Sequence, residues 1–431
     1  MDKIEALRLV IDWGFTRFKS WVYDSSGKLI LTSSVYTSDL CDTNIFYREK
    51  DIIKLVTIIV NLMNSFQTKV DLQVYASSQM HCLAGYSPQF GSFLSTWNDL
   101  SYENNKRGEI ISVDGIPSLS SMPKFKVDIN SLHFSSSYFG EEKVADHKYI
   151  EIEYLSSPVA LLFSKIFETK LPCSKSWWQS TAIPFHMLGM QKGRGSYLSE
   201  KPLSLKSHDI ANRHPNLNSV VFFPEVGDLQ ASTYTAFRNH DIIINLGTGS
   251  QVIVANPKIK SDFPFYRYWP KDDNKYSVIS HVPCGRLINE YVVRNNMTFR
   301  DIKSSLSRLK KDIVIKNAEN FRRSILFFPG YCAFEGKYME FPSTSIEELA
   351  QLNIEVLLSL WIYQYRDVIE KLTNDSSFTS RNYLVGITGG LGGMSVEFGT
   401  LLEEILPSCF NVQVEDIPLP VSLMDIYSQP E

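Results

Sequence analysis

Apolar positions along this chain follow two periods, one suited to strands and one to helices. Leu7 to Ile11 is an apolar run ending in Asp12-Trp13-Gly14-Phe15-Thr16, Phe18 to Tyr23 is a second run, and Lys28 to Thr32 follows a turn at Asp24-Ser25-Ser26-Gly27. Short runs broken by tight turns predict consecutive antiparallel strands. Asp51 to Phe66 has helical spacing, whereas Leu72 to Ala76 reads as a buried strand running into Ser77-Ser78-Gln79-Met80-His81. The polar stretch from Ser101 to His147 carries no motif. Tyr154 to Phe167 and Trp177 to Met190 read as helix and connector around a cleft, and Gln191 to Asn218 as a surface excursion.

From Ser219 the composition turns apolar and reaches Pro224-Glu225-Val226-Gly227-Asp228-Leu229-Gln230-Ala231-Ser232. An apolar strand at Asp241 to Leu246 then meets a Gly247-Thr248-Gly249-Ser250 turn. His281 to Arg286 reads as a turn before a helix. Thr344 and Glu347 form a capping-box pattern that would open a mostly buried helix from about Ser345 to Leu372. Tyr383 to Thr388 is another strand, ending in Gly389-Gly390-Leu391-Gly392-Gly393-Met394-Ser395 before a helix from Val396 to Leu406. No solenoid repeat is present, but the two halves share a strand-and-helix logic that suits a duplicated α/β protein.

Composition narrows the partners. A chain of 431 residues predicts two domains. With 44% hydrophobic and 21% charged residues it reads as soluble and globular, and a net charge of −4 argues against nucleic acid and anionic membrane as partners. The six cysteines show neither a Cys-x-x-Cys pair nor zinc-ligand spacing. Reduced thiols, the absence of a signal-peptide pattern at Met1 to Arg8 and no membrane-length apolar run predict a cytoplasmic protein. Oligomeric state is left open, with a homodimer allowed.

The candidate chemistry lies at strand ends. Asp12 and Gly14 suit a hydrated metal and a phosphate close to the backbone, or simply a hairpin turn. Asp228 offers a carboxylate, and the glycine turns at 247–249 and 389–393 offer N–H groups to a phosphate or nucleotide. Gln79, Met80 and His81 follow a strand's carboxyl end, where α/β sheets bind ligands. Trp97 is either a core aromatic or a platform for a sugar face.

In order, these motifs resemble the actin-like ATPase superfamily. Asp12-Trp-Gly-Phe-Thr16-Arg-Phe-Lys19 resembles its first phosphate loop, Asn245-Leu-Gly-Thr-Gly-Ser250 its second, and Thr388-Gly-Gly-Leu-Gly-Gly-Met-Ser395 its adenosine loop. Ser78 to His81 and Thr96-Trp-Asn-Asp99 look like the sugar-binding part of the FGGY carbohydrate kinases, and Gly227 to Ser232 like their catalytic segment. The wording from Val226 to Tyr234 looks most like sedoheptulokinases.

The resemblance implies an α/β protein of two ribonuclease-H-like domains, 1–236 and 237–431, with a catalytic cleft between them. It further implies a kinase using ATP and Mg²⁺ on a small-molecule sugar. Asp228 would be the general base and Asp12 would orient Mg²⁺. Gly14, Thr16, Lys19, Gly247, Thr248 and Gly249 would hold phosphates, Gly389 and Gly390 the adenosine. Gln79, Met80, His81, Trp97 and Asp99 would line the sugar site. The chain departs from the family at Phe15, at Leu100-Ser101 and around Glu335-Gly336, and an Ala-rich closing helix is not evident in Val412 to Glu431. Alternatives are a xylulose- or ribulose-type kinase and a non-catalytic protein that binds a sugar or nucleotide.

Overall fold

The computed structural model describes residues 5–41, 46–80, 82–87, 91–96, 154–172, 174, 177, 199–206, 210, 214–247, 249–255, 266–268, 275–322, 331–334, 337–340, 351–373, 382–389, 391, 393–415 and 417–428. The chain forms two compact units, Met1–Ala231 with Pro270–Asp272 and Leu423–Glu431, and Ser232–Trp269 with Asp273–Ser422.

In the first unit β1 (Glu5–Trp13), β2 (Arg17–Tyr23) and β3 (Leu29–Tyr36) form the expected antiparallel meander. Strand β4 (Val70–Ser78) lies parallel to β1 on its other side, after the crossover helix α1 (Glu49–Asn64). That helix buries Ile52, Leu55, Ile59, Leu62 and Met63, the stripe that its sequence spacing predicts. The helix α2 (Pro158–Phe167) is shorter than the run that suggested it, because Tyr154–Ser156 is a strand of a separate four-stranded sheet. Proline at 158 holds Ser157 extended, at φ −80° and ψ 157°, so the helix cannot begin earlier.

Strand β5 (Leu203–Lys206) corrects the reading of 191–218 as an excursion. It is the sheet's edge, antiparallel to β6 (Leu217–Phe222), which is itself parallel to β4. Its four residues are too few to show a strand period. The two-residue strand β7 (Val226–Gly227) pairs with the end of β4 and opens helix α3 (Asp228–Asn239).

The second unit repeats this order. Strands β8 (Ile242–Leu246) and β9 (Gly249–Ala255), the short edge strand β10 (Tyr266–Tyr268) and β11 (Lys275–Pro283) are antiparallel neighbours, in the order β10-β11-β9-β8. His281 to Pro283 therefore ends a strand rather than forming a turn. Helices α4 (Gly285–Arg294), α5 (Phe299–Arg308), α6 (Lys311–Arg322) and α7 (Ile354–Thr373) follow. Then come β12 (Tyr383–Thr388), parallel to β8, helix α8 (Ser395–Ile405), and β13 (Phe410–Val414), parallel to β12.

Helix α7 starts at Ile354, later than the predicted Ser345, and Asn353 accepts the Glu355 N–H at 2.8 Å. The predicted cap at Thr344 and Glu347 lies outside the described residues. Helix α7 is apolar nearly all round because it runs through the core, with Leu357, Trp361, Ile362, Tyr365 and Val368 fully buried. A last helix, α9 (Leu419–Ser428), closes the described chain. No helix among the described residues is long and apolar enough to cross a membrane.

Candidate active site

The end of β4 organises the first unit's polar centre. Parallel pairing sets Asp12 of β1 beside Ser77 and sets Val226 and Gly227 of β7 beside Ser77 and Ser78. The Ser77 hydroxyl donates to Asp12 Oδ1 at 2.9 Å. One residue on, where side chains switch faces, the Ser78 hydroxyl donates to Glu225 Oε1. Beyond the strand, the Met80 N–H donates to the Asp228 carboxylate, which also accepts the Leu229 N–H at 2.9 Å.

Two carboxylates here are held away from their ordinary behaviour. Burial raises the Asp12 pKa, opposed by the positive charge of Lys19, its register partner across β2, and by the Ser77 hydrogen bond. Burial also pushes Asp228 up to about 7, and the negative charge of Asp12 adds to the shift. A carboxylate with a pKa near neutrality, on a helix start at a strand end, is suited to accept a proton.

Gly227 is required by a close approach. A Cβ there would lie 2.2 Å from Gln230 Oε1 and 2.7 Å from Met80 Cγ. Met80 therefore packs beside the segment that presents Asp228, and Gln79 is buried next to it with its amide unpartnered. Gly14 and Thr16 occupy the β1–β2 turn, with Thr16 exposed and its carbonyl accepting the Thr37 N–H at 3.0 Å. His81, Trp97 and Asp99 lie outside the described residues.

The second unit gathers the other predicted loops. Gly247 and Gly249 follow β8, and Gly389 follows the adjacent parallel strand β12, with Asn245 and Thr388 in register. Both loops leave carboxyl ends of neighbouring parallel strands, where such sheets bind ligands. Gly389 has φ +93°, and a Cβ there would stand 2.3 Å from the Leu246 carbonyl oxygen, so the turn is pressed against the end of β8. The Ser395 hydroxyl fastens it by donating to the Gly389 carbonyl at 2.9 Å. Thr248 and Gly390 lie outside the described residues.

Glu225 is the residue that the sequence reading passed over. It is fully buried, and burial pushes its pKa up to about 6 despite the Ser157 and Ser78 hydroxyls and the Ala160 and Val159 N–H groups beside it. The one available signal was an acidic side chain inside the apolar approach to Gly227-Asp228.

No protein-family model matches the sequence, and no curated protein does. Solved structures do match along nearly the whole chain. The xylulose kinase from Lactobacillus acidophilus aligns at a TM-score of 0.64 and 14% identity, over 98% of this chain and 88% of that one. The gluconate kinase from the same organism aligns at 0.62 and 13%, with the same coverage of each chain. The glycerol kinase from Plasmodium falciparum, solved with ADP, aligns at 0.63 and 11%, again over 98% and 88%. The fold is the mixed α/β, two-domain actin-like ATPase fold of those structures.

Proposed function

We propose that this protein is an ATP- and Mg²⁺-dependent sugar kinase that phosphorylates a hydroxyl of a ketose. The observation that carries the reading is the Asp12–Asp228 pair. Two carboxylates stand at the ends of strands that both pair with the end of β4, one of them with its pKa pushed up to about 7, in a fold shared with kinases of xylulose, gluconate and glycerol.

Asp228 takes the proton of the acceptor hydroxyl as that oxygen attacks the terminal phosphorus. Its N–H donors from Met80 and Leu229 hold the accepting carboxylate in place. The donor fits a hard cation: the Asp12 carboxylate, held by the Ser77 hydroxyl, is an oxygen ligand, so Asp12 would hold Mg²⁺ with water and phosphate oxygens completing its shell. Bound there, Mg²⁺ would neutralise charge on the transferring group. Gly14, Thr16, Lys19, Gly247, Thr248 and Gly249 would contact phosphates, and Gly389 and Gly390 would back the adenosine. Residues 1–236 would thus bind the sugar, through Gln79, Met80, His81, Trp97 and Asp99, and 237–431 the nucleotide. The setting would be the cytoplasm.

Sedoheptulose is the acceptor favoured by the wording of Val226 to Tyr234, and xylulose or ribulose is the second. ADP formation with Mg²⁺ across a panel of ketoses and polyols decides among them. Sugar-dependent turnover should fall by about 10²–10⁴-fold in Asp228→Ala, the usual worth of a general base. Near-normal turnover in that variant would refute the assignment. Nucleotide binding without turnover on any acceptor would favour a non-catalytic protein.

A further inference from the structure

Glu225 is a fully buried carboxylate three residues before Asp228 that the proposed reaction does not use. Its Oε2 accepts the Ala160 N–H at 2.7 Å, and the Val159 N–H donates to the same carboxylate. Helix α2 needs this. Pro158 has no N–H, Ser157 makes no side-chain cap, and the Leu161 N–H goes to the Ser157 carbonyl at 2.8 Å. Val159 and Ala160 are thus the donors left over at the helix start, and a residue distant in sequence accepts both.

The other oxygen, Oε1, accepts from Ser78, whose Oγ in turn accepts the Trp177 indole N–H at 2.9 Å. The Glu225 carbonyl takes the Ser174 N–H at 3.1 Å. The Glu225 carboxylate thereby joins the end of β4 to the start of α2, Ser174 is held by the Glu225 carbonyl and Trp177 by Ser78, and Glu225 itself leads directly into β7 and Asp228. Ser78 is the register partner of Gly227, and two residues further on Met80 holds Asp228.

We propose that Glu225 is a positioning residue for Asp228: by clamping Ser78 to the start of α2 it fixes the end of β4, and with it the separation of Asp228 from Asp12. A buried network in which each donor finds an acceptor rigidifies its surroundings, and misplacing a reacting group by about 1 Å can lower a rate about 10²-fold. The role rests on the kinase reading for its catalytic consequence, but not for its structural one.

The test uses the full chain with Glu225→Ala, Glu225→Gln and Ser78→Ala. Glu225→Gln keeps the shape and retains an acceptor for one side only. In Glu225→Ala, kcat should fall about 10²-fold while the KM for ATP stays within about twofold, and Glu225→Gln should recover about tenfold of that loss. Unchanged kcat in a folded Glu225→Ala protein overturns the proposal. Hydrogen–deuterium exchange supplies a readout that needs no substrate. Amides at 226–229 should exchange about tenfold faster or more in each variant. Faster exchange confined to 159–161 would mean that Glu225 only caps α2, and would also overturn it. Should Glu225→Ala fail to fold, the other two variants carry both measurements. Should the wild-type chain turn over no sugar, the kinase reading fails and the exchange at 226–229 alone decides.

Discussion

Asp12, Glu225 and Asp228 are three buried or partly buried carboxylates, each held by one of three residues, Ser77, Ser78 and Met80, at one strand end. Their environments differ by a few hydrogen bonds and by which charge stands nearby. Lys19 pulls the Asp12 pKa down against its burial, whereas Asp12 itself adds to the rise at Asp228. Ser77 orients Asp12, and losing such an outer partner commonly weakens metal affinity 10–100-fold. Ser77→Ala should accordingly raise the Mg²⁺ concentration for half-maximal turnover by about that factor, with ATP affinity at saturating Mg²⁺ unchanged. A titration of rate against Mg²⁺ checks it. Asp12 and Asp228 could be found in the sequence because each sits in a short local motif. Their supporting partners could not, since Ser77 lies 65 positions from Asp12 and Ser78 lies 147 from Glu225, and no local period records such pairings.

The elements that hold the site are the parallel central strands, and these were readable because apolar runs such as Ile242–Leu246 and Tyr383–Thr388 end in glycine or polar turns. Short elements escaped. Strand β5 has four residues and strand Tyr154–Ser156 three, so pairing partners rather than pattern decide their state. Pro158 was a usable signal for the true start of α2. The turn after β12 makes a sharper prediction. Gly389→Ala places a methyl group 2.3 Å from a backbone oxygen at φ +93°, where L residues are strained. About 1–3 kcal/mol of stability should be lost, along with nucleotide affinity, as chemical denaturation and a binding titration would show. An unaltered denaturation midpoint would mean that the turn relaxes freely.

Across the whole molecule, one strand order occurs twice: β3-β2-β1-β4-β6 in the first unit and β11-β9-β8-β12-β13 in the second. Each has an antiparallel meander followed by two parallel strands, and in each the predicted ligand loops leave the ends of the central strands. The duplication showed in the sequence only as similar alternation, because packing constrains pattern rather than residue identity. The second unit is a single excursion between Ala231 and Leu423 apart from residues 270–272, so the first unit is finished by α9. The Tyr427 hydroxyl donates to the Pro224 carbonyl, and its ring packs 4.9 Å from Phe223, which stacks on Tyr75 at 4.4 Å. Removing the chain from Leu423 onward deletes the fully buried Leu423 and Ile426 as well. About 3–6 kcal/mol should be lost from the first unit, read as an earlier urea transition.

That closure has a consequence for biosynthesis. Tyr427 emerges from the ribosome 203 residues after the Pro224 that it binds, so a nascent chain carries Asp12, Glu225 and Asp228 long before it carries the ring that packs on Phe223 and Tyr75. The second unit must be translated in full while the first waits with Tyr75 and Phe223 uncovered, which is when a chaperone would find them.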